Sequence, residues 1–213
     1  MNELIVGKRP APQNATSFYA IHNGWLIAIF SLVYIVSAWY LQSQVLTDDP
    51  AAEVLHKVGL YTYAFVPPGL LLRMAAVAFC LFTGLLLTGR TLSFAKTFKI
   101  VLLAEIAFVA YALLKLLILA FFHPIGHLKE LQAFAPLSLY SLLDAAAVPR
   151  WLTYPLQTIN VFEITYWFLL AAGLRNYLGQ PLSKMFLLVL SSYGVGLLGW
   201  MIAVEFLTLN FTQ

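Results

Sequence analysis

Charged residues are scarce in this chain. Only 10% of its 213 residues are Asp, Glu, Lys or Arg, whereas 62% are hydrophobic. Soluble domains carry about 25% charged residues, so this composition argues against a water-soluble protein and indicates an integral membrane protein. The net charge of +3 is small, and the basic residues form no patch with interleaved aromatics, which argues against a nucleic-acid partner.

Cysteine is nearly absent as well. The single cysteine, Cys80, cannot form an intramolecular disulfide or supply a cysteine-based metal site. It lies in an apolar run, and we interpret it as a buried, inert thiol. The chain also lacks a G-x-S-x-G elbow, an H-E-x-x-H pair and a phosphate loop. The sequence therefore gives no reason to expect an enzyme or a cofactor.

Long apolar segments are abundant, and five of them are long enough to cross a bilayer, which takes about 20 residues. They are residues 24–42, 67–89, 97–122, 156–174 and 184–209. Lipid offers no hydrogen-bond partner to backbone groups, so each is predicted to be helical. The predicted fold class is an all-α membrane protein, a bundle of five transmembrane helices forming a single domain over residues 24–213.

Two segments between these spans have patterns of their own. Residues 50–66 are predicted to lie outside the membrane and to contain an amphipathic turn or two from Ala51 to Val58, followed by aromatic residues before Pro67. Between the third and fourth spans, Pro136 and Ser138 are expected to open a short interfacial helix that runs to Ala147. Its leucines indicate that it either lies in the membrane interface or re-enters between the helices.

Lysine and arginine in short loops set the orientation, because cytoplasmic loops carry the excess of positive charge. The N-terminal segment, residues 1–23, is basic, and so are the turns after the second and fourth spans. The other two loops are acidic or mixed. We therefore expect a cytoplasmic N-terminal segment and an external C-terminus.

Four charged residues fall inside the predicted spans at nearly one depth: Arg73, Lys115, Glu163 and Glu205. A charge in the bilayer core costs about 2.5–3.5 kcal/mol on insertion scales, so opposite charges at one level are expected to pair. A ring of Arg73–Glu163 and Lys115–Glu205 pairs, or of the crossed partners, fits the spacing. Two interpretations stay open. The pairs either fix helix register or line a polar cavity that holds a lipid headgroup, an ion or a partner helix.

A fifth charged residue, Glu105, stands apart in the cytoplasmic half of the third span and is predicted to be an isolated intramembrane acid. It is either satisfied by an amide or hydroxyl group, or it carries a proton or an ion.

Two histidines, His123 and His127, are weak candidates for metal ligands at the outer end of the third span. Histidines at i and i+4 can share a metal on a helix, but Pro124 and Gly126 lie between these two. Capping or interfacial histidines are the simpler interpretation, and no metal is predicted.

Small residues follow one another along the fifth span, at Ser192, Gly196 and Gly199. Ser192 and Gly196 form a small-xxx-small pair, which permits close approach of another helix. That helix belongs either to the same bundle or to a second copy of the chain.

The last two spans repeat the spacing of the second and third. Lys115 follows Ser93 by 22 residues, and Glu205 follows Ser183 by 22 residues. Cations in one pair of spans thus correspond to anions in the other. This pattern suggests a parallel repeat with reversed charge, although short apolar hairpins also match by chance.

The final third resembles one known family. I-N-V-F-E-I-T-Y-W at 159–167 and L-L-A-A-G-L at 169–174 resemble the fourth span of bacterial Yip-type membrane proteins. The G-Q-P-L-S-K turn at 179–184 and S-Y-G at 192–194 are similar to that family too. The resemblance implies five spans in the bacterial inner membrane, and it supplies no catalytic residues. Eukaryotic members associate with Rab GTPases and carry an Asp-Leu-Tyr-Gly-Pro motif, which this sequence lacks, so Rab binding is not carried over.

We therefore expect a non-enzymatic membrane protein that organises or associates with membrane lipids, with other membrane proteins or with further copies of itself. The alternative is a transporter or lipid-translocating protein that uses the charged layer and Glu105. A third class, an intramembrane metalloenzyme, would need His123 and His127 as ligands.

Overall fold

The computed structural model describes residues 23–41, 50–122, 128–144 and 148–211. Over these ranges the chain is all-helical, apart from turns and an isolated antiparallel bridge between Ser138 and Asn160. The helices are α1 (Asn23–Tyr40), α2 (Pro50–Leu87), α3 (Phe94–Ala104), α4 (Ile106–Phe121), α5 (Leu128–Ala133), α6 (Arg150–Thr158), α7 (Val161–Leu178), α8 (Leu182–Val189) and α9 (Val195–Phe211). A 3₁₀ turn covers Tyr140–Leu142, and a π-helical turn, Leu190–Gly194, joins α8 to α9.

Three helical stretches of the described chain are long and apolar enough to cross a membrane. They are Tyr63–Leu87 in α2, Phe94–Phe121 across α3 and α4, and Leu182–Asn210 across α8 and α9. Large hydrophobic side chains such as Phe79 and Ile202 are exposed on these helices. Because extensive apolar surface of this kind is unfavourable in water, it indicates a location in a membrane.

The helix α2 begins earlier than the sequence predicts. Residues 50–66 are not a separate outer segment, because one helix runs from Pro50 to Leu87. Pro67 and Pro68 lie inside this helix rather than at its start. Each proline removes one backbone hydrogen bond, and packing of the apolar stretch that follows outweighs this local loss.

The prediction of an interfacial helix over residues 136–147 is wrong. The described part of that segment has only the 3₁₀ turn, and residues 145–147 lie outside the described chain. The backbone N–H of Leu139 instead donates to the carbonyl of Ile159, at 3.0 Å. Since the segment pairs with the chain before α7, its backbone groups are not free to continue a helix. Two short helices, α5 and α6, flank it, and together they form a cap on one end of the bundle.

The helix α7 begins at Val161, five residues after the predicted start of the fourth span at Leu156. The helix before it, α6, ends at Thr158. Asn160 is the N-cap of α7, and its side-chain oxygen accepts from the backbone N–H of Glu163 at 2.9 Å. Asn160 therefore marks the start of α7, directly after α6, and its cap places Glu163 in the first turn of α7.

Two helical hairpins form the centre of the molecule. Hairpin one is α2 with α3 and α4, and hairpin two is α7 with α8 and α9. Each first helix is followed by a glycine of positive φ, Gly89 (67°) and Gly179 (65°), a conformation that favours glycine. A guanidinium nitrogen of Arg90 lies 3.4 Å from the sulfur of Met185, so both turns lie at the same end.

The hairpins pack against each other reciprocally. A Cβ atom added at Gly84 on α2 would lie 2.5 Å from the Cβ of Ser192, which follows α8. A Cβ atom added at Gly173 on α7 would overlap the side chain of Ile100 on α3. The first helix of each hairpin therefore approaches the second helix of the other, and the absence of a side chain permits that approach.

Candidate functional site

Glu105 forms an ion pair with Arg73 inside hairpin one. Its Oε1 accepts from the guanidinium of Arg73 and, at 2.8 Å, from the hydroxyl of Tyr34 on α1. The guanidinium carbon lies 4.7 Å from the centre of the Phe108 ring. The prediction that Glu105 is an isolated acid is therefore wrong, because a cation and a hydroxyl both contact its carboxyl group.

The ion pair follows from the distance of each residue to the hairpin turn. The sequence places Arg73 near the outer end of a span that begins at Pro67, whereas the apolar stretch begins at Tyr63 and Arg73 lies near its middle. Glu105 lies near the middle of the stretch Phe94–Phe121. In an antiparallel hairpin, residues similarly distant from the turn lie at similar levels. The two side chains therefore meet at mid-depth.

The two partners of this ion pair differ in burial. The side chain of Arg73 is 45% exposed, whereas that of Glu105 is 1% exposed. The second carboxyl oxygen of Glu105, Oε2, is buried and accepts no hydrogen bond from the described residues. Glu105 thus lies behind Arg73, with one oxygen satisfied and one oxygen free.

Glu163 has neutral partners in hairpin two. Its Oε1 accepts from the indole N–H of Trp167 at 2.7 Å and from the hydroxyl of Tyr193 at 2.8 Å. Tyr193 lies in the π-helical turn between α8 and α9. A π turn shifts the register of the side chains that follow it and is frequent at functional sites.

A cluster of aromatic rings joins the two polar groups. Tyr166 is fully buried, with its ring centre 4.7 Å from that of Phe108 and 5.6 Å from that of Tyr193. Phe108 contacts Arg73, and Tyr193 donates to Glu163. The ion pair of hairpin one and the carboxyl group of hairpin two therefore lie on either side of one packed aromatic layer.

A cavity of about 890 Å³ lies between the hairpins and α1. Its charged lining residues are Arg73, Lys115 and Glu163, and most of the remaining lining is apolar or aromatic. Small-molecule sites occupy about 300–1,000 Å³ and combine apolar walls with a few polar groups. The cavity matches that description in size and composition.

Exposed side chains of α2 and α9 contribute to the lining of the cavity. A Cβ atom at Gly196 would lie 2.9 Å from the sulfur of Cys80, so these helices are in contact on the side of the hairpin turns. Farther from the turns, Leu72 on α2 and Trp200 on α9 also line the cavity, and they are 73% and 60% exposed. The cavity therefore borders exposed residues within the apolar stretches of both helices.

Lys115 faces the cavity without a carboxylate partner in the described part of the chain. Its ammonium nitrogen lies 3.5 Å from the carbonyl oxygen of Leu131 and 5.8 Å from the centre of the Phe134 ring. Glu130 lies beside Leu131 in the sequence, but it is exposed and forms no ion pair with Lys115. A weak carbonyl contact and a ring face leave the positive charge of Lys115 uncompensated.

The predicted ring of four charges does not form. Arg73 pairs with Glu105 instead of Glu163, and Lys115 has no contact with Glu205. Glu205 is absent from the cavity lining, which includes Trp200 on the same helix. Five residues correspond to about 140° around a helix, so Glu205 points away from the face that carries Trp200. Only three of the four predicted residues share the cavity.

The small residues of the fifth predicted span, Ser192, Gly196 and Gly199, have different neighbours. Ser192 packs against Gly84, and Gly196 packs against Cys80, so both lie at contacts within the bundle. A Cβ atom at Gly199 would meet nothing within 4 Å. His123 and His127, the weak metal candidates, lie outside the described residues, and no group of three metal-ligating side chains occurs within them.

Three polar partners at this site are missing from the sequence-based prediction: Tyr34, Trp167 and Tyr193. Trp167 follows Glu163 by four residues on one helix, a spacing that already indicates a contact. Tyr34 is 71 residues from Glu105, and Tyr193 is 30 residues from Glu163. Contacts over such separations depend on how the helices pack, which spacing along the chain does not give.

No protein-family model, curated protein or solved structure matches this chain. The residues and the geometry of the cavity therefore carry the functional argument.

Proposed function

We propose that this protein is a non-enzymatic, lipid-binding integral membrane protein of Yip type in the bacterial inner membrane. It has five spans, with α1 and α7 crossing the bilayer beside the three longer stretches. Its N-terminus is cytoplasmic and its C-terminus is external. Association with other membrane proteins or with a second copy belongs to the same proposal.

The orientation is supported by the charges at the hairpin turns. These turns lie side by side and carry the basic residues Arg90, Lys96, Lys99, Arg175 and Lys184. Positive charge is concentrated on the cytoplasmic side of membrane proteins, so this end faces the cytoplasm. The cap formed by α5 and α6 then lies at the external side.

The observation that carries the lipid proposal is that exposed residues in the apolar stretches of α2 and α9 line the cavity. We infer that the cavity opens to the bilayer between these residues. Its rim residues, Leu72 and Trp200, lie on helices whose exposed surfaces are apolar. A lipid chain enters such an opening directly from the bilayer, without crossing water. The apolar walls suit an acyl chain, and a water-soluble ligand would have to cross the hydrocarbon first.

The single cysteine provides the test of lipid binding. Cys80 lines the cavity and is half-buried, so a bound lipid should cover its thiol. We expect added phospholipid to slow maleimide labelling of Cys80 in purified, delipidated protein. The matched control is Leu87→Cys in a Cys80→Ser background, because Leu87 is an exposed residue on the same helix.

Protection of Cys80 alone supports a lipid in the cavity. Equal protection of both positions, or of neither, contradicts the proposal. Detection of catalytic turnover by the purified protein would contradict its non-enzymatic character.

A second candidate function, transport or lipid translocation, is favoured by the free oxygen of Glu105. A buried carboxyl oxygen without a partner among the described residues is a site for a proton or a cation, and it lies next to the partly exposed countercharge of Arg73. This function predicts flux of substrate, protons or lipid in proteoliposomes that is lost in Glu105→Gln and kept in Glu130→Gln. Glu130 is the matched control because it is exposed. Equal flux with and without the protein, across a panel of lipids and ions, contradicts it.

A further inference from the structure

The charged side chains that line the cavity differ in their polar partners. Arg73 has Glu105 and Tyr34 as partners, and Glu163 accepts from Trp167 and Tyr193. Neither group requires a ligand. Lys115 is the exception among the charged lining residues, because its described contacts are one carbonyl at 3.5 Å and one aromatic ring. Lys115 is therefore the charged lining residue whose described polar contacts are weakest, and it offers its positive charge to a ligand.

We propose that the cavity selects a phospholipid with an anionic headgroup, and this inference rests on the proposed lipid-binding function. The phosphate group binds the ammonium of Lys115, and one acyl chain occupies the apolar space between Leu72 and Trp200. A phosphate contributes strong acceptor oxygens and a full negative charge, and such charge-assisted hydrogen bonds are about twice as strong as neutral ones.

The position of Lys115 matches the level of a headgroup. Lys115 lies six residues before Phe121 at the end of α4, which is about 9 Å along the axis. The cap is close, because the carbonyl of Leu131 in α5 contacts the ammonium. At the same end, the indole N–H of Trp200 donates to the hydroxyl of Tyr154 at 3.0 Å, and both side chains line the cavity. Tryptophan and tyrosine are typical of the membrane interface.

Net headgroup charge should decide the selectivity. A zwitterionic phosphatidylcholine also has a phosphate, but its own ammonium group offsets the attraction to Lys115. Inside an apolar cavity the attraction is screened less than in water. We expect phosphatidylglycerol to bind about tenfold more tightly than phosphatidylcholine with the same acyl chains, which corresponds to about 1.4 kcal/mol.

The experiment titrates protection of Cys80 in full-length, delipidated protein with these two phospholipids and with the matching free fatty acid. We expect half-protection at an about tenfold lower concentration of phosphatidylglycerol than of phosphatidylcholine. Lys115→Gln should remove this preference by weakening phosphatidylglycerol binding more than phosphatidylcholine binding, whereas Lys115→Arg should keep the preference. Lys96→Gln is the charge-matched control, because Lys96 is exposed at the opposite end.

Equal protection by both phospholipids, or a preference that survives in Lys115→Gln, overturns the headgroup assignment and leaves lipid binding intact. Protection by the fatty acid at the same concentration as phosphatidylglycerol assigns the site to a carboxylate amphiphile and overturns the phospholipid. Protection by no lipid at all refutes the proposed function itself, and the inference with it.

Discussion

Hairpin one and hairpin two share a plan and differ in charge. Arg73 on α2 and Glu163 on α7 are 90 positions apart, as are the two turn glycines of positive φ. Each charged side chain contacts a residue at the irregular point of its own second helix. Arg73 pairs with Glu105, between α3 and α4, and Glu163 accepts from Tyr193, in the π-helical turn.

The difference lies in the partner. Hairpin one neutralises its cation with a carboxylate, whereas hairpin two satisfies its carboxyl group with neutral donors on Trp167 and Tyr193. Removing one member of a buried ion pair leaves an uncompensated charge, which costs more than the loss of a neutral hydrogen bond. We therefore expect the two hairpins to differ in how much stability a substitution costs, with the largest loss at the ion pair of hairpin one.

Loss of the Arg73 guanidinium should have the largest effect, because it leaves Glu105 buried without its countercharge. We expect Arg73→Leu to lower the free energy of unfolding by about 3 kcal/mol. The double variant Arg73→Leu, Glu105→Leu should recover most of this loss, since both charges are then gone. The measurement is unfolding in mixed detergent micelles. A single variant as stable as the wild-type protein would show that the ion pair does not stabilise hairpin one.

Overpacking between the hairpins should rank second. A Cβ atom at Gly173 overlaps Ile100, so Gly173→Ala should cost about 2 kcal/mol. The reciprocal contact predicts a similar cost for Gly84→Ala, which Ser192→Gly should relieve because the clash involves the Cβ of Ser192. Unfolding measurements on the single and double variants check this. If Ser192→Gly gives no relief, the two hairpins do not meet at this contact.

Removal of single hydroxyl groups should have a smaller effect and should distinguish the hairpins. Tyr193→Phe takes one of two donors from Glu163 and should cost about 1.5 kcal/mol. Tyr34→Phe should cost less, because Arg73 still bonds to the same oxygen of Glu105. Thermal unfolding of both variants gives the comparison. Equal losses of stability in the two variants would mean that the hydrogen bond from Arg73 does not compensate Glu105 for the missing hydroxyl group.

The smallest effect is expected at Gly199, in the first third of α9. Gly199 has open space around it, so Gly199→Ala should stabilise the helix by about 0.5–1 kcal/mol. Gly196→Ala, one turn earlier, should instead destabilise the protein, because its Cβ would lie 2.9 Å from the sulfur of Cys80. Opposite signs in the two unfolding curves are the expected result, and a loss at Gly199 would indicate a contact with a second chain.

Hydropathy locates the long apolar stretches, because whether a segment is apolar enough to cross a membrane depends on its own residues and not on its partners. The predicted spans 97–122 and 184–209 agree with Phe94–Phe121 and Leu182–Asn210 to within a few residues. The predicted first residue of a helix is wrong where local sequence rules compete with packing. Pro67 resembles a helix start and lies inside a helix, and Asn160 begins a helix within a run that hydropathy assigns to one span.

The candidate site is only partly predictable from the sequence. Composition identifies Arg73, Lys115 and Glu163 as unusual, because charges are expensive in apolar segments. It does not assign their partners, which depend on the rotation of each helix about its axis. Glu205 shows this limit, since its depth suits Lys115 but its direction does not. The partner of Glu105 is predictable from distance to the hairpin turn, because Arg73 and Glu105 lie 16 residues on either side of the turn glycine, Gly89.

The adjacent prolines of α2 have one more consequence. Without N–H groups at Pro67 and Pro68, the carbonyl oxygens of Tyr63 and Ala64 lose their usual helical donors. Hydrocarbon offers no substitute donor, whereas water does. We therefore expect the carbonyls of Tyr63 and Ala64 to lie at the edge of the hydrocarbon, within reach of water, which agrees with an apolar stretch that begins at Tyr63.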